Sequence, residues 1–117
     1  MIEPRLAAHM RIETLKRLTQ GAGGFAMVLA KGDPVSGAIL IARTIRGSEN
    51  AVLESMSGLD GGVQWHETWD DVPATITRKG SQAEYIARRR SQDHDIWVIE
   101  LDVANRAQFD AIIAQAS

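Results

Sequence analysis

The sequence predicts an α+β fold, and three observations carry that expectation. Glycines punctuate residues 21–62 at roughly ten-residue intervals, the spacing of turns between short strands. On either side, residues 7–20 and 105–116 repeat apolar side chains at helical spacing. Between them, Ser81-Gln82-Ala83-Glu84 is a capping box, which announces a helix, and an alternating apolar stretch follows at 96–102.

The elements follow in order. Over 7–20, Ala8, Ile12, Leu15, Leu18 and Ala22 fall near one helical stripe. Lys16 and Arg17 sit in the expected last turn, where the helix dipole favours cations, and Gly21 suits a left-handed cap. Leu6, Ala8, Met10 and Ile12 also alternate, so a short strand ahead of a shorter helix is a competing reading. The continuous apolar run 25–30 reads as a strand buried on both faces. Lys31-Gly32-Asp33-Pro34 is a turn, and 36–46 is the next strand. Gly47-Ser48-Glu49-Asn50 turns into a third strand over 51–56, and 57–62 turns again. In 63–69, period two puts Val63, Trp65, Glu67 and Trp69 on one face. Residues 24–69 are therefore expected to form a four-stranded antiparallel meander. After a polar loop, the helix from Ser81 to about Ser91 should turn Ala83, Ile86 and Ala87 inward. In the fifth strand, Trp97, Ile99 and Leu101 face one way and Ile96, Val98 and Glu100 the other. Asn105 caps the last helix, whose buried stripe is Phe109, Ile112, Ile113 and Ala116.

Composition narrows the function. The 117 residues suit one domain, 1–117. Thirteen basic and fifteen acidic residues give a net charge of −2, unlike the basic footprint of a nucleic-acid binder. The first half carries a slight positive excess and the second a negative one. With no cysteine, the chain has no disulfide, no thiolate catalysis and no cysteine-ligated metal. No apolar run approaches the ~20 residues of a membrane span. Met1-Ile2-Glu3-Pro4-Arg5 opens onto no apolar signal core. The expectation is a cytoplasmic protein with no membrane contact.

Tyr85-Ile86-Ala87-Arg88, followed by Asp93-His94-Asp95-Ile96-Trp97-Val98-Ile99-Glu100, resembles the signature of a family of small alphaproteobacterial proteins of unknown function. Arg5-Leu6, Lys31-Gly32-Asp33-Pro34 and Gly37-Ala38 fit the same pattern, so the resemblance spans about residues 5–102. The chain departs from it at His94, where that family often has proline, and in its extension over 105–116. The resemblance implies a bacterial cytosolic protein and assigns no catalytic residue.

The residues themselves suggest few chemistries. Asp93, Asp95 and Glu100 concentrate carboxylates near His94, and in an extended segment Asp93 and Asp95 share a face. Their spacing matches no metal motif, and aspartates also build turns, so no metal and no cofactor is assigned. Tyr85 and Arg88 complete a candidate ligand site at this helix–strand junction, with Arg88 holding an anionic group. Three consecutive arginines, Arg88-Arg89-Arg90, fan around a helix and so form no flat patch. Nucleic-acid binding through Arg78, Lys79, Arg88 and Arg89 is a third option and predicts steep salt dependence, while an acidic rim of Asp60, Glu67, Asp70 and Asp71 opposes a nucleic-acid platform at Trp65 and Trp69. Gly21-Ala22-Gly23-Gly24 runs from helix to strand, the reverse of a phosphate loop. No nucleophile elbow is present. Trp65 and Trp69, on one strand face, are candidates for an interface. The leading expectation is a non-catalytic interaction or regulatory module with an unknown protein partner, since the chain carries no catalytic motif and no cysteine. A homodimer is expected because an open sheet leaves edges to cover and Trp65 and Trp69 offer an apolar contact. The rival is a small ligand- or metal-binding domain or enzyme with its site at residues 85–100.

Overall fold

A computed structural model describes residues 7–57, 63–70 and 80–116. Residues 1–6, residues 58–62 with Asp60, residues 71–79 with Asp71, Arg78 and Lys79, and Ser117 lie outside the described residues. The element order is α1 (Ala8–Gly21), β1 (Phe25–Ala30), β2 (Ile39–Ile45), β3 (Ser48–Ser57), β4 (Val63–Asp70), α2 (Gln82–Gln92), β5 (Trp97–Val103) and α3 (Arg106–Ala116).

The α+β class and the element sequence match expectation, but the four-stranded meander does not. The sheet order is β1-β5-β2-β3-β4. Only β2, β3 and β4 form a meander. Strand β5 inserts between β1 and β2, antiparallel to the first and parallel to the second. Its composition explains the central place. Trp97, Ile99 and Leu101 enter one core and Ile96 and Val98 the other, so both faces of this segment need cover. Helices α1 and α3 supply it on one face through Ile12, Leu15, Phe109 and Ile112. Helix α2 covers part of the other face through Tyr85 and Ile86.

Local chemistry accounts for the shifted boundaries. Helix α1 continues through Gly21, and Gly23 is the glycine that takes the left-handed conformation, at φ 89°. The Gly24 N–H then reaches back to the Thr19 carbonyl at 2.9 Å. Lys16 lies before the last turn and pairs with Glu13 at 3.5 Å. The hairpin β2–β3 turns on Arg46 and Gly47 alone, both at positive φ, so β3 begins at Ser48. Strand β2 starts only at Ile39, because Asp33 holds Val35 and Ser36 in a turn.

Two further corrections concern faces. In α2, Ser81 and Glu84 form the expected capping box, but Ala83 and Ala87 are exposed. The buried residue is Gln82, whose amide donates to the carbonyls of Arg43 (3.1 Å) and Ala51 (2.9 Å). Those carbonyls flank a bulge at Asn50, where the β2–β3 register shifts. A second bulge, in β4, separates the tryptophans. Ser55 opposes Trp65 and Leu53 opposes Glu67, but Val52 opposes Trp69, leaving Thr68 as the extra residue. One extra residue sends the side chains after it to the other face. Trp65 therefore packs toward the α1/α3 core, whereas Trp69, 7% exposed, packs under α2.

Candidate functional site

Residues 31–37 and 90–97 meet where the β1–β2 loop crosses the α2–β5 turn. The Asp33 carboxylate accepts from the Val35 N–H (3.1 Å), the Ser36 N–H (2.7 Å) and the Ser36 hydroxyl (2.9 Å). These bonds, those from Ser36 above all, hold its carboxyl below the ordinary carboxylate range. The Asp33 N–H donates to the Asp95 carbonyl at 3.0 Å, and the Trp97 indole donates to the Asp33 carbonyl at 2.7 Å. Gly32 and Gly37 pass so close to the Asp95 carbonyl that a Cβ on either would collide with it. Arg90 directs one guanidinium nitrogen at the carbonyls of Lys31, His94 and Ile96. The same loop receives α1: the Ala8 and His9 N–H groups donate to the Val35 and Pro34 carbonyls. Two N-terminal donors of that helix are thus satisfied by tertiary structure.

The five candidate ligand residues take part in three sets of contacts. Asp93 accepts the Asp95 N–H at 3.0 Å, closing the turn that both aspartates build. Tyr85 and Arg88 stack one turn apart on α2, the guanidinium carbon 5.6 Å from the ring centre. Glu100 stands farther along β5, where the Thr44 hydroxyl lies 3.4 Å from it and 2.7 Å from Asp102. Arg89 instead reaches across to β3 and binds Glu54 at 2.7 Å, an interaction that raises its guanidinium pKa above the ordinary value. Among the described residues, no set of three histidine, aspartate or glutamate side chains is placed to hold a metal ion.

A different constellation sits beneath α3. A cleft of about 380 Å³ is walled by Leu53, Trp65 and Phe109, with Glu67, Arg106 and Asp110 at its polar side. Behind it lies Arg43, buried in β2, its guanidinium carbon 4.8 Å from the Phe109 ring centre. Arg43 donates to Asn50 (2.7 Å) and Glu67 (3.1 Å), and its remaining terminal nitrogen has no partner. Burial lowers its pKa, Arg106 adds repulsion, and Glu67 opposes both. The same Glu67 oxygen lies 3.3 Å from Arg106. Sequence reading missed this group, because its members lie on β2, β4 and α3 and share no local spacing. An arginine directly after the apolar run 39–42, within one strand, was the one available signal.

Comparison with known proteins bears on most of the chain. The family described as "Protein of unknown function (DUF1491)" matches residues 6–110. A crystal structure of a protein of that family from Caulobacter crescentus CB15 superposes with a TM-score of 0.67 at 26% identity, covering 86% of this chain and 91% of that one. An NMR structure of a protein of the same family from that organism gives 0.64 at 28% identity, covering 82% and 84%. A solution structure of a protein from A. tumefaciens gives 0.62 at 26% identity, covering 84% and 86%. No curated protein matches.

Proposed function

We propose that this chain, which belongs to the DUF1491 family of proteins of unknown function, is a non-catalytic, cytoplasmic interaction module that pairs with a second copy of itself along β1. One observation carries this reading. Among the described residues, strand β1 is a sheet edge, bonded to β5 alone, and its six residues, FAMVLA, include no charge. Phe25, Met27 and Leu29 stand 51%, 45% and 47% exposed. Edge strands are ordinarily blunted by charge or proline, so an edge left apolar is an interaction surface.

A second copy fits this edge. Two β1 strands set antiparallel about a two-fold axis present each other the same residues, and no charge is stranded between them. Phe25 and Met27 of both copies then lie side by side on one face. The bulge between Val28 and Ala30 limits regular pairing to the first part of the strand. The polar groups of the junction at residues 85–100 are largely engaged with one another and with backbone, which supports a structural rather than catalytic role there.

Sedimentation velocity at micromolar concentration tests the proposal. The expected result is a dimer that Met27→Lys converts to monomer while the matched change on the other edge, His66→Lys, leaves it intact. A monomeric wild-type protein, or a dimer indifferent to Met27→Lys, overturns it.

A further inference from the structure

We infer that the cleft between β4 and α3 is a binding site for a small monocarboxylate with an aromatic or branched apolar body, and that Glu67 occupies the carboxylate position when the site is empty. This inference is independent of the β1 proposal, since it concerns the opposite side of the sheet.

Three observations support it. First, the cleft, at about 380 Å³, falls at the small end of ligand pockets, enough for a single ring or branched chain. Its walls are Leu53, Trp65 and Phe109, and Trp65 is only partly buried, so one face of an indole is available for stacking. Second, Arg43 is buried with one terminal nitrogen unpartnered. An unpaired donor on a buried cation is rare enough to need a reason. Its other terminal nitrogen is closed off by Glu67, whose side chain is 34% exposed against 3% for Arg43. Glu67 thus lies between a buried guanidinium and solvent, on an edge strand, where a rotamer change frees it. Third, Arg43 and Arg106 both address one Glu67 oxygen, at 3.1 and 3.3 Å. Two guanidinium groups that meet at one carboxylate oxygen, Arg106 at the cleft and Arg43 behind it, form a cationic position that a ligand monocarboxylate can take in place of Glu67.

Charge selects the class. Arg43 and Arg106 are balanced by Glu67 and by Asp110, which accepts from Arg106 at 3.1 Å. A ligand carboxylate replacing that of Glu67 preserves this balance, and Glu67 turns to water. A phosphate dianion meets Asp110 and the displaced Glu67 with excess negative charge.

The test is a two-dimensional ¹H–¹⁵N NMR titration with benzoate, with benzamide and inorganic phosphate as controls, following the Trp65 indole N–H assigned by Trp65→Phe. Benzoate is expected to shift this resonance saturably, and the two controls to do so far more weakly. Arg106→Gln should weaken benzoate by about tenfold, the loss of one charge-assisted contact. Glu67→Gln should tighten it, because the internal competitor is gone. This gain separates a ligand site from a structural ion pair, whose loss only loosens the region. Both variants alter exposed positions, so the outcome does not depend on whether an Arg43 variant folds. Absence of a saturable benzoate shift, equal response to benzamide, or weakening by Glu67→Gln overturns the inference.

Discussion

Strand β1 presents Phe25, Met27 and Leu29 to solvent, whereas β4, at the opposite edge, presents Gln64, His66, Glu67 and Thr68. The two edges also differ in how they are backed. Behind β4, α2 packs on one face through Trp69, and α3 reaches the other through the Arg106–Glu67 pair. Behind β1, α1 covers only the face carrying Ala26 and Val28. The β4 side shows mainly polar residues to water, with Trp69 buried and Trp65 partly covered at the cleft under α3. Among the described residues, the β1 side leaves Phe25, Met27 and Leu29 about half exposed. In a sheet with two edges, this asymmetry points to association at one edge only.

The contrast is breakable, and the largest effect belongs to the β4 side. Trp69→Ala should lower stability by about 3–5 kcal/mol, as for other buried aromatic truncations, and Trp65→Ala by about 1–2 kcal/mol. Chemical denaturation compares them, and equal losses would contradict the deeper burial of Trp69. Next comes Gln82→Ala, which strips a donor from the buried carbonyls of Arg43 and Ala51 and should remove about 1–3 kcal/mol in the same measurement. On the β1 side, Met27→Lys should change the stability of the monomer by no more than about 0.5 kcal/mol while abolishing association. Stability loss comparable to Gln82→Ala would mean that this face is packed after all.

The smallest effect is confined to acid. Asp33 has a folded-state pKa below the ordinary 3.8, so its contribution is present above that value and is lost as pH falls through the depressed one. Asp33→Asn removes this dependence. Thermal melting at pH 7 and pH 3 should show a narrower difference for the variant than for the wild type, and parallel declines would contradict the turn assigned to Asp33.

Local signals in the sequence proved legible. The capping box of α2, the Asn105 cap of α3, whose side chain accepts the Gln108 N–H at 2.8 Å, and the alternation of β5 each depend on residues a few positions apart. Bulges were not legible, because period two assumes that no residue is extra. Thr68 broke that assumption and sent Trp69 to the other face. Strand order was hidden for a related reason. The runs 25–30 and 97–103 are both apolar, yet one lies at an edge and the other at the centre. Apolarity reports that a surface requires cover, not whether the cover comes from the same chain. The junction was readable as a turn around Asp93 and Asp95, but the group of Arg43, Glu67 and Arg106 was not, since only the fold brings these residues together.

The position of β5 also has a consequence for synthesis. It is the last strand in chain order among those described, yet it is the neighbour of both β1 and β2. While the ribosome is still making residues 31–96, the emerging β1 has no strand to bond, and its apolar face is bare on both edges. The meander β2–β3–β4 can form early, but the sheet closes only when β5 is released. Long-range pairing of this kind slows folding and exposes the nascent chain to association at an immature stage. The segment that would join two finished copies is thus also the one that waits longest, on each unfinished copy, for its own partner.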